Sequence, residues 1–139
     1  MKTISLLFIA LFVGVFTFAQ DNQGPVISFD RELHDYGTIL TDSVPEGKLS
    51  FIIYNTGTEP LVLSNVRACC GTRVNDYTKE PVAPADSGFV EVEFRIVPRP
   101  HRIRRTVTVQ SNAVNRQTAI LRIQGEVAEP DATMMLQQD

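Results

Sequence analysis

The sequence has no tryptophan, only two histidines and only two cysteines, and the cysteines are adjacent, Cys69 and Cys70. With no Trp and no distant pair of cysteines, the antibody arrangement of an inter-sheet disulfide packed on a tryptophan is excluded. His34 and His101 lack the spacing of a zinc site. Helix-type periodicity is missing throughout. After the first nineteen residues no apolar stretch approaches the roughly 20 residues that a membrane-spanning helix needs. Basic residues do not dominate either: 13 Lys and Arg face 16 Asp and Glu, which argues against a general nucleic-acid binder. Hydrophobic residues at 43% and charged residues at 21% place the chain among ordinary globular proteins, not disordered ones.

What is present begins at the N-terminus. Lys2 supplies a positive start, Ile4 to Phe18 form an apolar run, and Thr17-Phe18-Ala19 ends it on a small residue. That is the layout of a cleaved secretory signal peptide. The expected organisation is a leader over 1–19, a short extension over 20–25, one domain over 26–127 and a tail over 128–139. The mature chain, from Gln20, would carry 12 Lys and Arg against 16 Asp and Glu and would be exported to the periplasm or the cell surface. No cysteine opens it, so no lipid anchor is expected, and no stable membrane span follows the leader.

Strand-type alternation recurs from Val26 to Val127. Leu49, Phe51 and Ile53 share one face. Leu61 and Leu63 are expected to oppose Val62 and Val66. The clearest run sets Val90, Val92, Phe94 and Ile96 against Glu91, Glu93 and Arg95, as in a sheet with one buried and one wet face. Val107 and Val109, then Ala119, Leu121, Ile123 and Val127, are expected inward. Asn55-Thr56-Gly57-Thr58 reads as a turn of residues that tolerate positive φ. Gly125, on an inward position, marks a bulge or a close backbone approach. Six to eight short strands in about 100 residues predict an all-β fold, an immunoglobulin-like β-sandwich.

Several motifs then line up in order. They are Asp35-Tyr36-Gly37-Thr38-Ile39, Phe51-x-x-Tyr54-Asn55-Thr56-Gly57-x-x-Pro60-Leu61, Glu80-Pro81-Val82-x-Pro84, Thr106-Val107-Thr108-Val109-x-Ser111-Asn112 and Leu121-Arg122-Ile123-x-Gly125-Glu126-Val127. Together they resemble an uncharacterised secreted bacterial family, a domain of unknown function with an immunoglobulin-like fold similar to major-sperm-protein-type modules. The resemblance implies a fold and an envelope location, and no established activity. One departure stands out: the family usually shows Cys-Gly-Cys-Thr where this chain reads Cys69-Cys70-Gly71-Thr72. A role that needs a one-residue spacer between the thiols is therefore not carried over.

Neighbouring Cα atoms lie about 3.8 Å apart across a trans peptide, whereas ordinary disulfides span roughly 4.4–6.8 Å. A bond between Cys69 and Cys70 would close essentially no loop and so would not staple the fold. Four readings stay open. One thiol is buried as a small hydrophobe beside an incidental neighbour; the exposed thiol pairs between molecules; the two form a vicinal disulfide acting as a redox or conformational element; or they bind a soft metal, for which two thiolates are an incomplete set. No cofactor is expected.

Arg95, Arg99, His101, Arg102, Arg104 and Arg105 fall within eleven residues. Pro98 and Pro100 place Arg99 and His101 on a hairpin loop. Arg99, His101, Arg102, Arg104 and Arg105 are the candidates for holding phosphate or carboxylate groups, against the plain alternative of a solvated turn that discourages edge pairing. His34 beside Asp35 reads as a surface histidine, since strand neighbours face opposite sides and no nucleophile accompanies it. Asp42-Ser43-Val44 resembles a short O-glycosylation acceptor and otherwise reads as a polar loop. The expected function is non-enzymatic: a secreted module that binds an envelope protein or glycan or serves a structural part there. The alternatives are a redox or soft-metal protein working through Cys69 and Cys70, and a polyanion binder working through Arg99–Arg105.

Overall fold

The computed structural model describes residues 23–131, so the leader over 1–19, most of the extension and the end of the tail lie outside the described residues. Eight strands follow one another: β1 (Ile27–Phe29), β2 (Leu33–Leu40), β3 (Lys48–Asn55), β4 (Leu63–Ala68), β5 (Thr72–Tyr77), β6 (Ser87–Phe94), β7 (His101–Ser111) and β8 (Thr118–Ala128). They form two four-stranded sheets, a first with order β1-β3-β6-β5 and a second with order β2-β8-β7-β4. All pairings are antiparallel except β2 with β8, which is parallel.

The core lies where period-two alternation put it. Phe51, Ile53, Val90 and Val92 of the first sheet face Ile103, Val107, Val109, Leu121, Ile123 and Val127 of the second, each at most 2% exposed. Burying a side chain of that size contributes about 1.5–3 kcal/mol, so the two inner faces hold the sheets together. Phe94 and Ile96 continue the β6 row at 4% and 7% exposure.

Several sequence expectations change. Val66 is buried together with Leu63 and Leu61, not opposed to them, because the β4–β7 register shifts between Leu63 and Asn65 and returns Val66 to the interior. β5 shows no apolar alternation in its sequence and none of its residues is fully buried. Backbone pairing to β6 makes it a strand. Asn55 ends β3 and is 1% exposed, and positive φ occurs elsewhere than at Gly57. Gly57 is needed because a Cβ there would collide with the Gly24 carbonyl. At Gly125 a Cβ would stand 2.9 Å from the Tyr36 Cβ. The close approach is real, and the irregularity belongs to β2, whose register shifts between Asp35 and Thr38.

All four edge strands are short or broken. β1 has three residues, and β2, β4 and β5 each carry a register shift, while the inner pairs β3–β6 and β7–β8 run without one. Beyond β1 the free edge of β3 is capped by side chains: Asp30 accepts from Ile52 N–H at 2.9 Å and the Arg31 guanidinium donates to the Ser50 carbonyl at 2.8 Å. Such edges discourage the addition of a further strand.

Candidate functional site

β7 alternates Ile103, Arg105, Val107 and Val109 inward with Arg102, Arg104, Thr106 and Thr108 outward. β8 offers Ile120, Arg122, Gln124 and Glu126 outward. Register pairs Arg67 with Thr108, Thr106 with Arg122, Arg104 with Gln124 and Arg102 with Glu126. Arg67, Arg102, Arg104 and Arg122, distant in sequence, thus share the outer face of the second sheet, all exposed. None of the four enters an ion pair among the described residues. Arg102 and Arg104 stand about 6.8 Å apart along the strand, a spacing at which like charges repel by about 0.6 kcal/mol in water. Two carboxylates share the face. Asp35 is held by Gln124 Nε2 at 2.7 Å and by Gly37 N–H at 2.8 Å, and these two bonds pull its carboxyl below the usual 3.8. Glu126 lies opposite Arg102. With Arg102, Arg104 and Gln124 they line a shallow depression of about 210 Å³. Leu33 and Ile120, 46% and 45% exposed, add apolar surface beside Arg122, Leu33 paired with it from β2 and Ile120 two residues before it on β8.

The cysteines border this face. Their sulfurs are joined, so neither thiol is free; the plain expectation of one buried and one incidental thiol is corrected to a vicinal disulfide. The peptide between them is trans, with Cα atoms 3.7 Å apart. The chain turns at once: Cys70 and Gly71 both have positive φ, 62° and 74°, and Thr72 N–H donates to the Cys69 carbonyl at 3.0 Å. Glycine takes that conformation without steric cost; at Cys70 the turn and the ring hold it. Cys69 extends β4 by one residue, its N–H donating to the Thr106 carbonyl at 3.0 Å, and Thr106 Oγ1–H donates to Cys69 Sγ at 3.2 Å. Cys69 is half-buried and Cys70 is exposed.

Arg105 does not belong with the outer arginines. It points between the sheets, its guanidinium 5.8 Å from the centre of the Phe94 ring and its Nη1 3.7 Å from where a Cβ of Gly71 would stand. Tyr36 meets the same Phe94 ring edge-on at 6.1 Å. Arg105 Nε, Tyr36 Oη and Thr72 Oγ1 are buried here without a hydrogen-bond partner among the described residues; each such group costs about 1–3 kcal/mol. Burial pushes the Tyr36 phenol above its usual 10.0. On the other side of Gly71 and Phe94 opens a cleft of about 590 Å³, lined by Arg95, by Arg73 paired to Glu93 and by Lys48 paired to Glu46.

The remaining candidates fall apart. His101 is the first residue of β7, not a loop residue; its Nδ1 lies 2.7 Å from the Arg99 carbonyl, which accepts, so Nδ1 carries the proton. Arg99 stays on the exposed connection before β7. His34 turns inward, half-buried, with its ring 4.5 Å from that of Tyr36, while Asp35 faces out. Burial and then the Arg31 charge hold its imidazole below the usual 6.5. The surface reading of His34 is corrected, because β2 register pairs it with inward Ile123. Ser43 is exposed in the turn after β2, its Oγ–H donating to the Asp42 carboxylate at 3.2 Å. Among the described residues no group of three or more His, Cys, Asp or Glu is placed to hold a metal. Arg67 and Thr106 were invisible as site residues in the sequence, since only register brings them beside Arg122 and Cys69. Arg122 follows as outward from the inward Leu121 and Ile123 on either side of it, but nothing local makes it a neighbour of Arg104.

The sequence profile of a family described as protein of unknown function (DUF1573) matches residues 27–127. Among proteins of curated function none matches. Three solved structures are similar in fold. A protein of unknown function from Porphyromonas gingivalis W83 is 15% identical with a TM-score of 0.59, over 81% of this chain and 51% of that one. The secreted serine protease VesC from Vibrio cholerae is 15% identical with a TM-score of 0.63, over 84% of this chain and 26% of that one. A PapD-like domain of human CEP192 is 9% identical with a TM-score of 0.52, over 91% of this chain and all of that domain. The chain thus spans about half of the first and a quarter of the second. At these identities the likeness is one of fold, an immunoglobulin-like β-sandwich.

Proposed function

The chain belongs to the DUF1573 family, and we propose that it is an exported, non-enzymatic binding module that docks an acidic envelope polysaccharide on the outer face of the β2-β8-β7-β4 sheet. One observation carries this reading: four exposed arginines that enter no ion pair among the described residues stand on one sheet face of a chain whose net charge is −3. Charge of the minority sign gathered on one face raises local potential and steers an oppositely charged partner. Guanidinium forks suit carboxylate and phosphate oxygens, and the outward Thr106, Thr108 and Gln124 side chains suit hydroxyls. The protected edges speak against docking by strand addition. Export rests on the leader pattern of Met1–Ala19, and the similar fold in a secreted Vibrio cholerae protease agrees with it.

The test is retention of the mature protein on an immobilised acidic polysaccharide at low ionic strength. Retention should weaken steeply with salt. The double charge reversal Arg104→Glu with Arg122→Glu should abolish it while the thermal midpoint stays put, since neither side chain is buried. A wild-type protein that passes through unretained sinks the proposal.

A further inference from the structure

We propose that Cys69–Cys70 is an exchange-active disulfide in which an incoming thiolate attacks Cys70 Sγ and Cys69 Sγ is the leaving sulfur. The two sulfurs are not equivalent. Cys70 is exposed on the turn, open to an attacking group, whereas Cys69 is half-buried and fixed to β7. Thr106 Oγ1–H already donates to Cys69 Sγ at 3.2 Å, so the sulfur that would take up negative charge has a donor in place. Arg67 shares the outward face with Cys69 two residues along β4, on the side of the leaving sulfur. Cations beside a sulfur favour its thiolate form, and a leaving thiol that is a weaker base departs faster.

The co-reactant is a dithiol. One of its thiolates attacks Cys70 Sγ, the Cys69–Cys70 bond breaks, and its electron pair goes to Cys69 Sγ, which takes a proton from water. The mixed disulfide on Cys70 is then attacked by the dithiol's second thiolate, releasing Cys70 as thiolate and then thiol. The protein gains two electrons and two protons, and the dithiol loses both as it becomes a disulfide. An oxidised partner runs the sequence backwards. The bond spans adjacent residues and closes no chain loop, so opening it leaves the fold intact.

The inference does not depend on polysaccharide docking, which is read on Arg104 and Arg122 by retention, so either can fail alone. The experiment treats the folded mature protein with glutathione, quenches with acid, alkylates, and maps the mixed disulfide by fragmentation. Glutathione should sit on Cys70 with the alkyl group on Cys69. In a parallel series with dithiothreitol, Thr106→Ala should slow reduction roughly tenfold, and Thr106→Ser should restore the wild-type rate. The melting midpoint should be the same oxidised or reduced. Glutathione found on Cys69, a wild-type rate in Thr106→Ala, or reduction only after the chain is unfolded by guanidinium would each overturn the assignment.

Discussion

The two ends of the sandwich treat their polar groups in opposite ways. At the end where β3 and β7 finish, Asn55 is buried and saturated. Its Nδ2 donates to the Glu59 and Val82 carbonyls at 2.7 and 2.8 Å, and its Oδ1 accepts from Gly57 and Val26 N–H at 3.0 and 3.4 Å. Asn115 clasps both backbone groups of Ile27 there, and Arg116 forks onto Glu32 at 2.6 and 3.1 Å. At the other end sit the disulfide turn and, among the described residues, polar atoms around Phe94 without a hydrogen-bond partner and outward arginines that enter no ion pair. Polar groups that build a fold are normally satisfied. The end that leaves several without a partner among the described residues is where the proposed docking face and disulfide lie.

The sharpest way to break this contrast is Asn55→Ala. It removes four hydrogen bonds from a buried site and takes the partner from the Val26 and Gly57 N–H groups and the Glu59 carbonyl, while the Val82 carbonyl keeps Leu61 N–H, so it should cost about 3–4 kcal/mol. Equilibrium denaturation would read this as a lower midpoint with an unchanged slope; a loss below about 1 kcal/mol would mean the end is not held by its asparagine. The matching change at the other end is Arg105→Met. It keeps much of the apolar stem against Phe94 and removes a guanidinium that enters no ion pair among the described residues, so stability should stay within about 1 kcal/mol of wild type, on the higher side. A large loss would show that the arginine is structural after all.

How far these ends were legible follows from what a sequence can encode. The alternation of Val90, Val92, Phe94 and Ile96 survives because a sheet face repeats every two residues. Val66 was misread and β5 went unread because bulges and edge pairing follow from the partner strand and leave no mark in local pattern. The arginines looked like one basic loop, yet strand alternation sends Arg104 out and Arg105 in, and register recruits Arg67 and Arg122. Cys69 and Cys70 looked unsuited to each other by distance alone. The left-handed Cys70-Gly71 turn that accompanies their bond is a tertiary feature, fixed to Thr106 on another strand.

Smaller effects sharpen the contrast through pH. Arg116 lowers the Glu32 carboxyl from its usual 4.5. A depressed carboxylate stabilises the fold above its unfolded value, and the gain is lost as pH falls through the lower folded value. Both partners are well exposed, with side chains 50% and 36% accessible, so Glu32→Gln should cost only about 0.2–1 kcal/mol near neutrality and nothing in strong acid. A cost that persisted in strong acid would point to packing, not charge.

His34 works in the same direction by a different route. Its imidazole titrates below the usual 6.5 when folded, first because it is partly buried against Tyr36 and then because Arg31 is near, with Asp35 opposing. The unfolded chain therefore binds more protons between the two values, and stability rises with pH across that window. Acidification from about pH 7.5 to about pH 5 should lower the melting midpoint of the wild type slightly more than that of His34→Phe, which fills the same space beside Tyr36 without a charge to gain. Equal shifts in the two proteins would mean that the groups facing this ring (Arg31 and Asp35 on its own segment, Tyr36 beside it) already balance its protonation, and that the mouth of the sandwich tolerates a further cation.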